Sequence, residues 1–268
     1  MEIIVVRGGG DIASGVIQKL YRTGFNVVIT EIEKPNFIRR DVCFGQAIYD
    51  KEKTLEGITS IFCKNENEVI SALNSNKIPV IVDSKLEKIE SFKNLKLTAV
   101  IDAIISKKEK NLKDKYPITI GLGPGFEAGK SVDLVIETMR GHNLGRIIFE
   151  GSALPNTGIP GTIKGVAEER VIYSQNSGYL TIIKDIGTFV KKNEIIATID
   201  GKNVYSTIDG IIRGMINNQY YVKEGLKIAD IDPRTEELEN CFTISDKARA
   251  IGGSALEALL ILKNRINN

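Results

Sequence analysis

Ile3-Ile4-Val5-Val6-Arg7-Gly8-Gly9-Gly10-Asp11-Ile12-Ala13-Ser14-Gly15 is the stretch that decides the fold. Its first four residues are apolar and all β-branched, which suits a short core strand. Beyond the glycines, Ile12, Ala13, Val16, Ile17 and Leu20 share one helical face, and Gly24 supplies a stop. The turn between strand and helix makes specific demands. Gly8 permits a sharp exit, Gly10 lets an anion approach bare backbone, and Ala13 lets the helix sit close to the strand. The helix start then offers unpaired amides and the positive end of a dipole. The sequence therefore predicts a phosphate-bearing ligand at Gly8, Gly9, Gly10, Asp11, Ile12 and Ala13. The same glycines also serve turn geometry alone, which is the bland alternative.

Working outward, 26–32 is a second strand rich in Val and Ile, ending near Glu31. Glu31 lies 21 residues beyond Gly10, the spacing at which a carboxylate reaches a ribose hydroxyl pair. Two details temper a nicotinamide-dinucleotide reading. Asp11 repels a phosphate placed too close. Arg39 and Arg40 suit a 2′-phosphate or another anion, or else a solvated helix face. Further strands are expected at 58–62, 79–82, 99–105 and 118–122, with a helix at 66–73. Strands alternating with helices predict an α/β domain over 1–150, Rossmann-like, with a mostly parallel sheet and helices on both faces.

A second glycine-rich turn, Gly123-Pro124-Gly125, follows the strand at 118–122. Ligands in open α/β sheets lie beyond the carboxyl ends of strands, so parallel strands would open both turns on one edge. His142, the sole histidine, follows with Arg140 and Arg146 beside it. Histidine can exchange a proton near neutrality. Guanidinium groups hold phosphate or carboxylate with two parallel hydrogen bonds. Gly123, Gly125, Arg140, His142 and Arg146 therefore join the candidate site, with His142 the candidate catalytic residue. The alternative is a polar turn whose arginines pair with surface carboxylates. No metal site is expected, because one histidine and three scattered cysteines cannot build the common zinc centres.

Near residue 150 the texture changes. The stretch 153–161 carries two prolines and two glycines and reads as a linker. From 171 to 233 short β-rich runs follow at close spacing, so 151–235 is expected to be an all-β module. It holds an internal echo: Gly178-Tyr-Leu-Thr-Ile-Ile before Ile186-Gly-Thr-Phe-Val190, and Gly210-Ile-Ile-Arg-Gly-Met before Tyr221-Val-Lys-Glu-Gly225. Two such halves resemble the barrel-sandwich hybrid of biotinyl and lipoyl carrier domains. The carrier function does not follow, because Lys202 lacks flanking methionines and reads as a plain hairpin lysine. The remainder, 236–268, predicts a helix through Ala248, Ile251, Ala255, Leu259 and Leu262, capped by Ser245 or Asp246 and packing back on the first domain. Gly252-Gly253 interrupts it, which implies either close packing against another backbone or a break between two helices.

Bulk composition narrows the classes. The 268 residues carry a net charge of +2, with 42% hydrophobic and 26% charged residues, an ordinary globular balance. No concentrated basic stripe marks a nucleic-acid surface. The densest run, Lys107, Lys108, Lys110, Lys113 and Lys115, is broken by Glu109 and Asp114 and reads as solvated. No apolar run nears the ~20 residues of a membrane span. Three isolated thiols and a start that lacks leader features give a cytoplasmic expectation.

The motifs Arg7-Gly-Gly-Gly-Asp-Ile-Ala-Ser-Gly15, Gly121-Leu-Gly-Pro-Gly-Phe-Glu-Ala-Gly129, Glu137-Thr-Met-Arg-Gly-His-Asn-Leu-Gly-Arg146, Pro155-Asn-Thr-Gly-Ile-Pro-Gly161 and Ile244-Ser-Asp-Lys-Ala-Arg-Ala-Ile-Gly-Gly253 together resemble the YqeB family. The resemblance implies an accessory protein of selenium-dependent molybdenum hydroxylase systems, acting in maturation or delivery of the molybdenum cofactor. It implies no catalytic residues. The expected ligand is a phosphorylated pterin or nucleotide, the molybdenum cofactor or a relative of it, and the expected partner a molybdenum hydroxylase. Two alternatives stay open: an NAD(P)-dependent oxidoreductase using Glu31 and His142, and a non-catalytic assembly scaffold. Homo-oligomerisation and catalysis itself are left open.

Overall fold

The computed structural model describes residues 1–106, 111–155, 165 and 168–267. The expected solvated lysines at 107–110 and most of the linker motif lie outside the described residues. The chain divides into two compact units. One comprises Met1–Pro35, Cys43–Asn156 and Ile244–Asn268, and the other Asn36–Val42 and Thr157–Thr243. The division thus differs from a simple succession of segments. The short stretch after the second strand belongs to the β-rich unit, and the terminal helix to the first.

The first unit is mixed α/β with a large, mostly parallel sheet. Its strands are β1 (Glu2–Arg7), β2 (Val27–Glu31), β3 (Glu52–Leu55), β4 (Ile58–Cys63), β5 (Ile78–Val82), β6 (Lys96–Asp102), β7 (Thr119–Leu122), β8 (Glu127–Ala128), β9 (Leu134–Ile136), β10 (Ile147–Ile148) and β11 (Gly151–Ser152). The helices are α1 (Asp11–Arg22), α2 (Ala47–Asp50), α3 (Glu66–Asn74), α4 (Glu87–Ser91) and the terminal α5 (Asp246–Asn267). The main sheet runs β10-β9-β7-β6-β1-β2-β5-β4-β3. Every adjacent pair from β9 to β4 is parallel, and only the edge strands β10 and β3 are antiparallel. The central strands are near-continuous apolar runs because both their faces are covered. Ile3, Val5, Val28, Ile81 and Val100 pack with Val69 and Ala72 of α3 and Ile89 of α4. Successive side chains alternate between faces, so Ile4, Val6 and Ile29, all buried, face the opposite side, where α1 and α5 pack on each other.

That helix pair explains the glycines of α5. A Cβ on Gly252 would lie 2.6 Å from the carbonyl carbon of Gly15, and one on Gly15 would meet the backbone of Ala248. Gly253 faces open space. α5 is unbroken, and of the two readings for its glycines, close packing holds at Gly252 and neither holds at Gly253.

Glu56, in the β3–β4 turn, ties α5 to α1. It accepts the Ile244 amide at 2.9 Å, an Arg249 guanidinium at 2.8 Å and the Gln18 amide at 2.7 Å. Burial raises its pKa, but the bonds from Gln18 and Ile244 and the Arg249 charge outweigh it and leave the carboxyl below its ordinary 4.5. A carboxyl depressed on folding contributes stability above its unfolded value and loses it as pH falls through the folded one. Glu56→Ala is therefore expected to cost about 2–4 kcal/mol at neutral pH. The deficit should shrink as pH drops below about 4.5, as read by denaturant unfolding at stepped pH.

The second unit holds β12 (Val171–Tyr173), β13 (Gly178–Ile182), β14 (Phe189–Val190), β15 (Ile195–Ile199), β16 (Lys202–Tyr205), β17 (Gly210–Met215), β18 (Tyr221–Val222) and β19 (Lys227–Asp232). They form two antiparallel four-stranded sheets, β12-β19-β17-β14 and β16-β15-β13-β18. The echo in the sequence is structural. Gly178 pairs with Val222 and Gly210 with Val190, and Leu180 pairs with Ile199 and Ile212 with Ile231. Positions 32 apart, such as 178 and 210 or 190 and 222, are thus equivalent. Loop bonds repeat the relation: Asn193 donates to the Ser206 carbonyl at 2.8 Å, and Gly225 to that of Ser174 at 2.9 Å. Each sheet takes two strands from each half, and the apolar faces close over Leu180, Ile196, Ile212 and Ile228. Neither half could bury that face alone.

Candidate functional site

β1 runs through α1 to β2 on one side, while β6 pairs on the other side of β1. The β1–β6 junction is therefore a switch point, the place in an open sheet where ligands bind, although just past the strands the Ala103 amide still donates to the Arg7 carbonyl at 2.8 Å. Gly8 adopts a φ of +94°, and a Cβ there would approach Ala103 and Ile104, in the loop after β6, to 3.3 Å. A Cβ on Gly9 would lie 2.6 Å from the Cα of Gly45, whose amide donates to the Gly9 carbonyl at 2.9 Å. Gly10 caps α1 in extended conformation with no side-chain bond to the helix. Asp11 and Ile12 are half-exposed and Ala13 is buried. Ser14 is turned inward: its hydroxyl donates to the Gly10 carbonyl and accepts the Phe44 amide at 3.0 Å.

Beneath the turn lies a buried ion pair. Arg7 ends β1 and pairs with Asp102 at the end of β6, its direct cross-strand neighbour. Arg7 also donates to the Ser84 carbonyl at 2.8 Å, and Asp102 accepts the Ile104 amide at 3.1 Å. Three strand ends are thereby held together.

Glu31 is at the predicted place, but its carboxylate already closes the turn. It accepts the Gly9 amide at 3.0 Å and the Ile32 amide at 2.8 Å. Burial pushes its pKa above 4.5, and those amides and the Arg7 charge pull back less strongly. An ionised carboxylate offers about four lone-pair directions, so a ribose would share Glu31 with the protein's own backbone.

Because β1, β6 and β7 are adjacent and parallel, both glycine-rich turns open on the same edge. Gly123 has φ +74°, and a Cβ there would lie 2.6 Å from the Thr138 hydroxyl. Gly125 has φ +95° and turns the chain so that Phe126 packs back over Gly121. In the following loop buried Glu137 accepts the amides of Met139 at 2.7 Å and Leu154 at 2.8 Å. Arg140 forms a two-pronged pair with Asp246 at 2.8 Å, the surface-carboxylate alternative. Exposed Arg146 donates to Asn143 at 3.3 Å. His142 is exposed in a turn and makes no hydrogen bond among the described residues.

Arg39 and Arg40 belong to the β-rich unit. Neither lies on a solvated helix face: Arg39 is 8% exposed and Arg40 pairs with Asp185. The expectation that they meet a 2′-phosphate gives way to this, because their guanidinium groups are spent on carbonyls and a carboxylate of that unit.

Lys247, in the first turn of α5, escaped the sequence reading. Burial holds its pKa below 10.5, with Arg140 adding to the effect and Asp11, Glu137 and Asp246 opposing it. Its ammonium thus shares a neighbourhood with the start of α1 and the 137–146 loop, and makes no hydrogen bond or ion pair among the described residues. One signal was legible: a lysine in the first turn of a helix opposes the dipole.

Cys43, Cys63 and Cys241 are buried thiols in no disulfide among the described residues, and burial pushes the Cys63 thiol up to about 11. Among the described residues no group of three or more His, Cys, Asp or Glu could hold a metal ion. No described helix is long and apolar enough to cross a membrane.

No protein-family model matches the chain. Solved structures with a weak likeness to the chain include the product-bound ectoine utilization protein EutE (DoeB) of Ruegeria pomeroyi, at 8% identity and TM-score 0.23 over 86% of this chain and 57% of that one. A succinylglutamate desuccinylase of Silicibacter sp. TM1040 matches at 10% identity and TM-score 0.27, over 85% and 84%. An aspartoacylase family protein of Mesorhizobium loti matches at 8% and 0.27, over 86% and 84%. Scores this low support no argument about fold, site or chemistry. The uncharacterized protein YqeB of Escherichia coli K12 is 43% identical over 266 residues, 98% of this chain and 48% of the relative. The chain thus spans about half the length of that curated relative, and identity at this level over nearly all of its own length supports its membership of the YqeB family.

Proposed function

We propose that the chain binds the phosphorylated part of a pterin or nucleotide, the molybdenum cofactor or a close relative of it, at the carboxyl edge of its parallel sheet. In this reading it serves as an accessory protein in maturing a selenium-dependent molybdenum hydroxylase. The observation that carries the binding proposal is the start of α1. Its N-cap, Gly10, makes no side-chain capping bond, it lies at the switch point between β1 and β6, and the ammonium of Lys247, which makes no hydrogen bond or ion pair among the described residues, is nearby. Amides at a helix start together with a lysine are a fitting donor set for phosphate. The amide of Gly9 is not in that set, because Glu31 holds it. Arg140, Arg146 and His142 would meet charge on the ligand's far side, and Gly123–Gly125 would shape that wall. The family resemblance supports the accessory role. Three buried thiols support a reducing, cytoplasmic setting. The 32-residue duplication supports reading the β-rich unit as a barrel-sandwich hybrid, and in this proposal that unit docks the client hydroxylase.

An NAD(P)-dependent oxidoreductase is the second reading, favoured by Glu31 standing beside the turn. Thermal shifts with NAD, NADP, mononucleotides and the molybdenum cofactor separate the two. A shift with the cofactor that is lost in Gly10→Glu and weakened about tenfold in Lys247→Met supports the proposal; one such charge-assisted contact is worth ~1.5 kcal/mol. Tight dinucleotide binding with hydride transfer supports the second reading. Folded protein that responds to none of these ligands is a scaffold.

A further inference from the structure

The β-rich unit grips two stretches of chain whose continuations build the candidate site, and we infer that it regulates the site through them. The inference rests on the reading of the α1 start as a phosphate site.

The first stretch is 36–42. The Ile38 carbonyl accepts the Met215 amide at 2.7 Å. A Cβ on Gly214 would lie 2.9 Å from that same carbonyl oxygen, so the stretch lies flush against β17. Arg40 donates to the Met215 carbonyl at 2.7 Å and pairs with Asp185. The second stretch is 240–243. Buried Arg39 joins the two, donating to the carbonyls of Asn240 at 2.9 Å and Thr243 at 3.3 Å. All these bonds lie within the β-rich unit.

Both stretches then leave that unit and enter the site. Past Val42 come Phe44, whose amide rests on the Ser14 hydroxyl, and Gly45, whose amide rests on the Gly9 carbonyl. Past Thr243 comes Ile244, held by Glu56, and then Lys247. Withdrawing Arg39 frees both leads at once. The support that Gly45 gives the glycine turn then loosens, as does the lead through Ile244 into α5. A partner that loosens this grip lowers anion affinity at α1, and by linkage the bound anion tightens the grip.

Amide hydrogen exchange on the full chain tests this, alongside titration with inorganic pyrophosphate, in wild type, Arg39→Met and Asp185→Ala. Exchange at Phe44, Gly45 and Ile244 should quicken in Arg39→Met, and less so in Asp185→Ala. Pyrophosphate affinity should fall by about fivefold or more in Arg39→Met. Quicker exchange at Met215 with Phe44, Gly45 and Ile244 unchanged would overturn the inference. Asp185 is half-exposed, so its variant keeps the test open if Arg39→Met fails to fold. If wild type ignores pyrophosphate, the binding site falls, and the exchange pattern still decides the coupling.

Discussion

Gly252→Val should cost the sheet unit about 3–5 kcal/mol, while Gly253→Ala, one residue along, should stabilise it by about 0.5–1 kcal/mol. The two glycines share one helix and differ in what they face. At Gly252 the backbone of α1 stands where a side chain would go, with the amide nitrogen of Val16 3.0 Å from a would-be Cβ. Helices normally pack with axes 8–10 Å apart, and a valine here must force α1 and α5 apart along their shared apolar face. Loss of that packing outweighs the helix propensity gained. At Gly253 nothing lies within 4 Å of a would-be Cβ, so only the propensity gain and the stiffer unfolded chain remain. Thermal unfolding should show a fall of the order of 10 °C for the first variant and a small rise for the second. A Gly252→Val protein as stable as wild type would mean that α1 and α5 do not touch there.

Asp102→Ala should be nearly as damaging, at about 3–5 kcal/mol, because it strands a buried guanidinium. Asp102 is fully buried and Arg7 is 9% exposed. The lost carboxylate also frees the Ile104 amide, so the loop that approaches Gly8 loses its anchor. Anion binding should therefore fall along with stability. Arg7→Met with Asp102→Leu removes both charges and should recover most of the stability, since a buried pair replaced by apolar groups of like volume is often neutral. Binding should recover less, as the Ile104 amide still lacks its acceptor. Denaturant unfolding of the two variants settles the first point. A single variant as unstable as the double one would place the cost in lost packing rather than in the stranded charge.

Several elements were legible in the sequence for local reasons. The β1–turn–α1–β2 order follows from a β-branched run, three glycines, a helical apolar stripe and a stop at Gly24. The echo at Gly178 and Gly210 marked a duplication, because equivalent halves need the same turn and strand residues. Glu31 was found by spacing alone, yet its partners were not, since a count of residues says nothing about which amide a carboxylate will meet. Lys247 was missed because it is 236 positions beyond Asp11 in the chain. Only α5 folding back along α1 brings the two near each other.

The sequence by itself determined the elements, their order and the glycine-rich turn at the first helix, since propensity, periodicity and turn chemistry act over a few residues. Only the tertiary structure decided that Asn36–Val42 leaves the sheet unit for the β-rich one, that Gly252 rather than Gly253 is the contact glycine, and that Glu31 occupies an amide of the turn it was expected to serve from outside. Each of those depends on which distant surfaces come within van der Waals or hydrogen-bond reach. No local pattern encodes that reach.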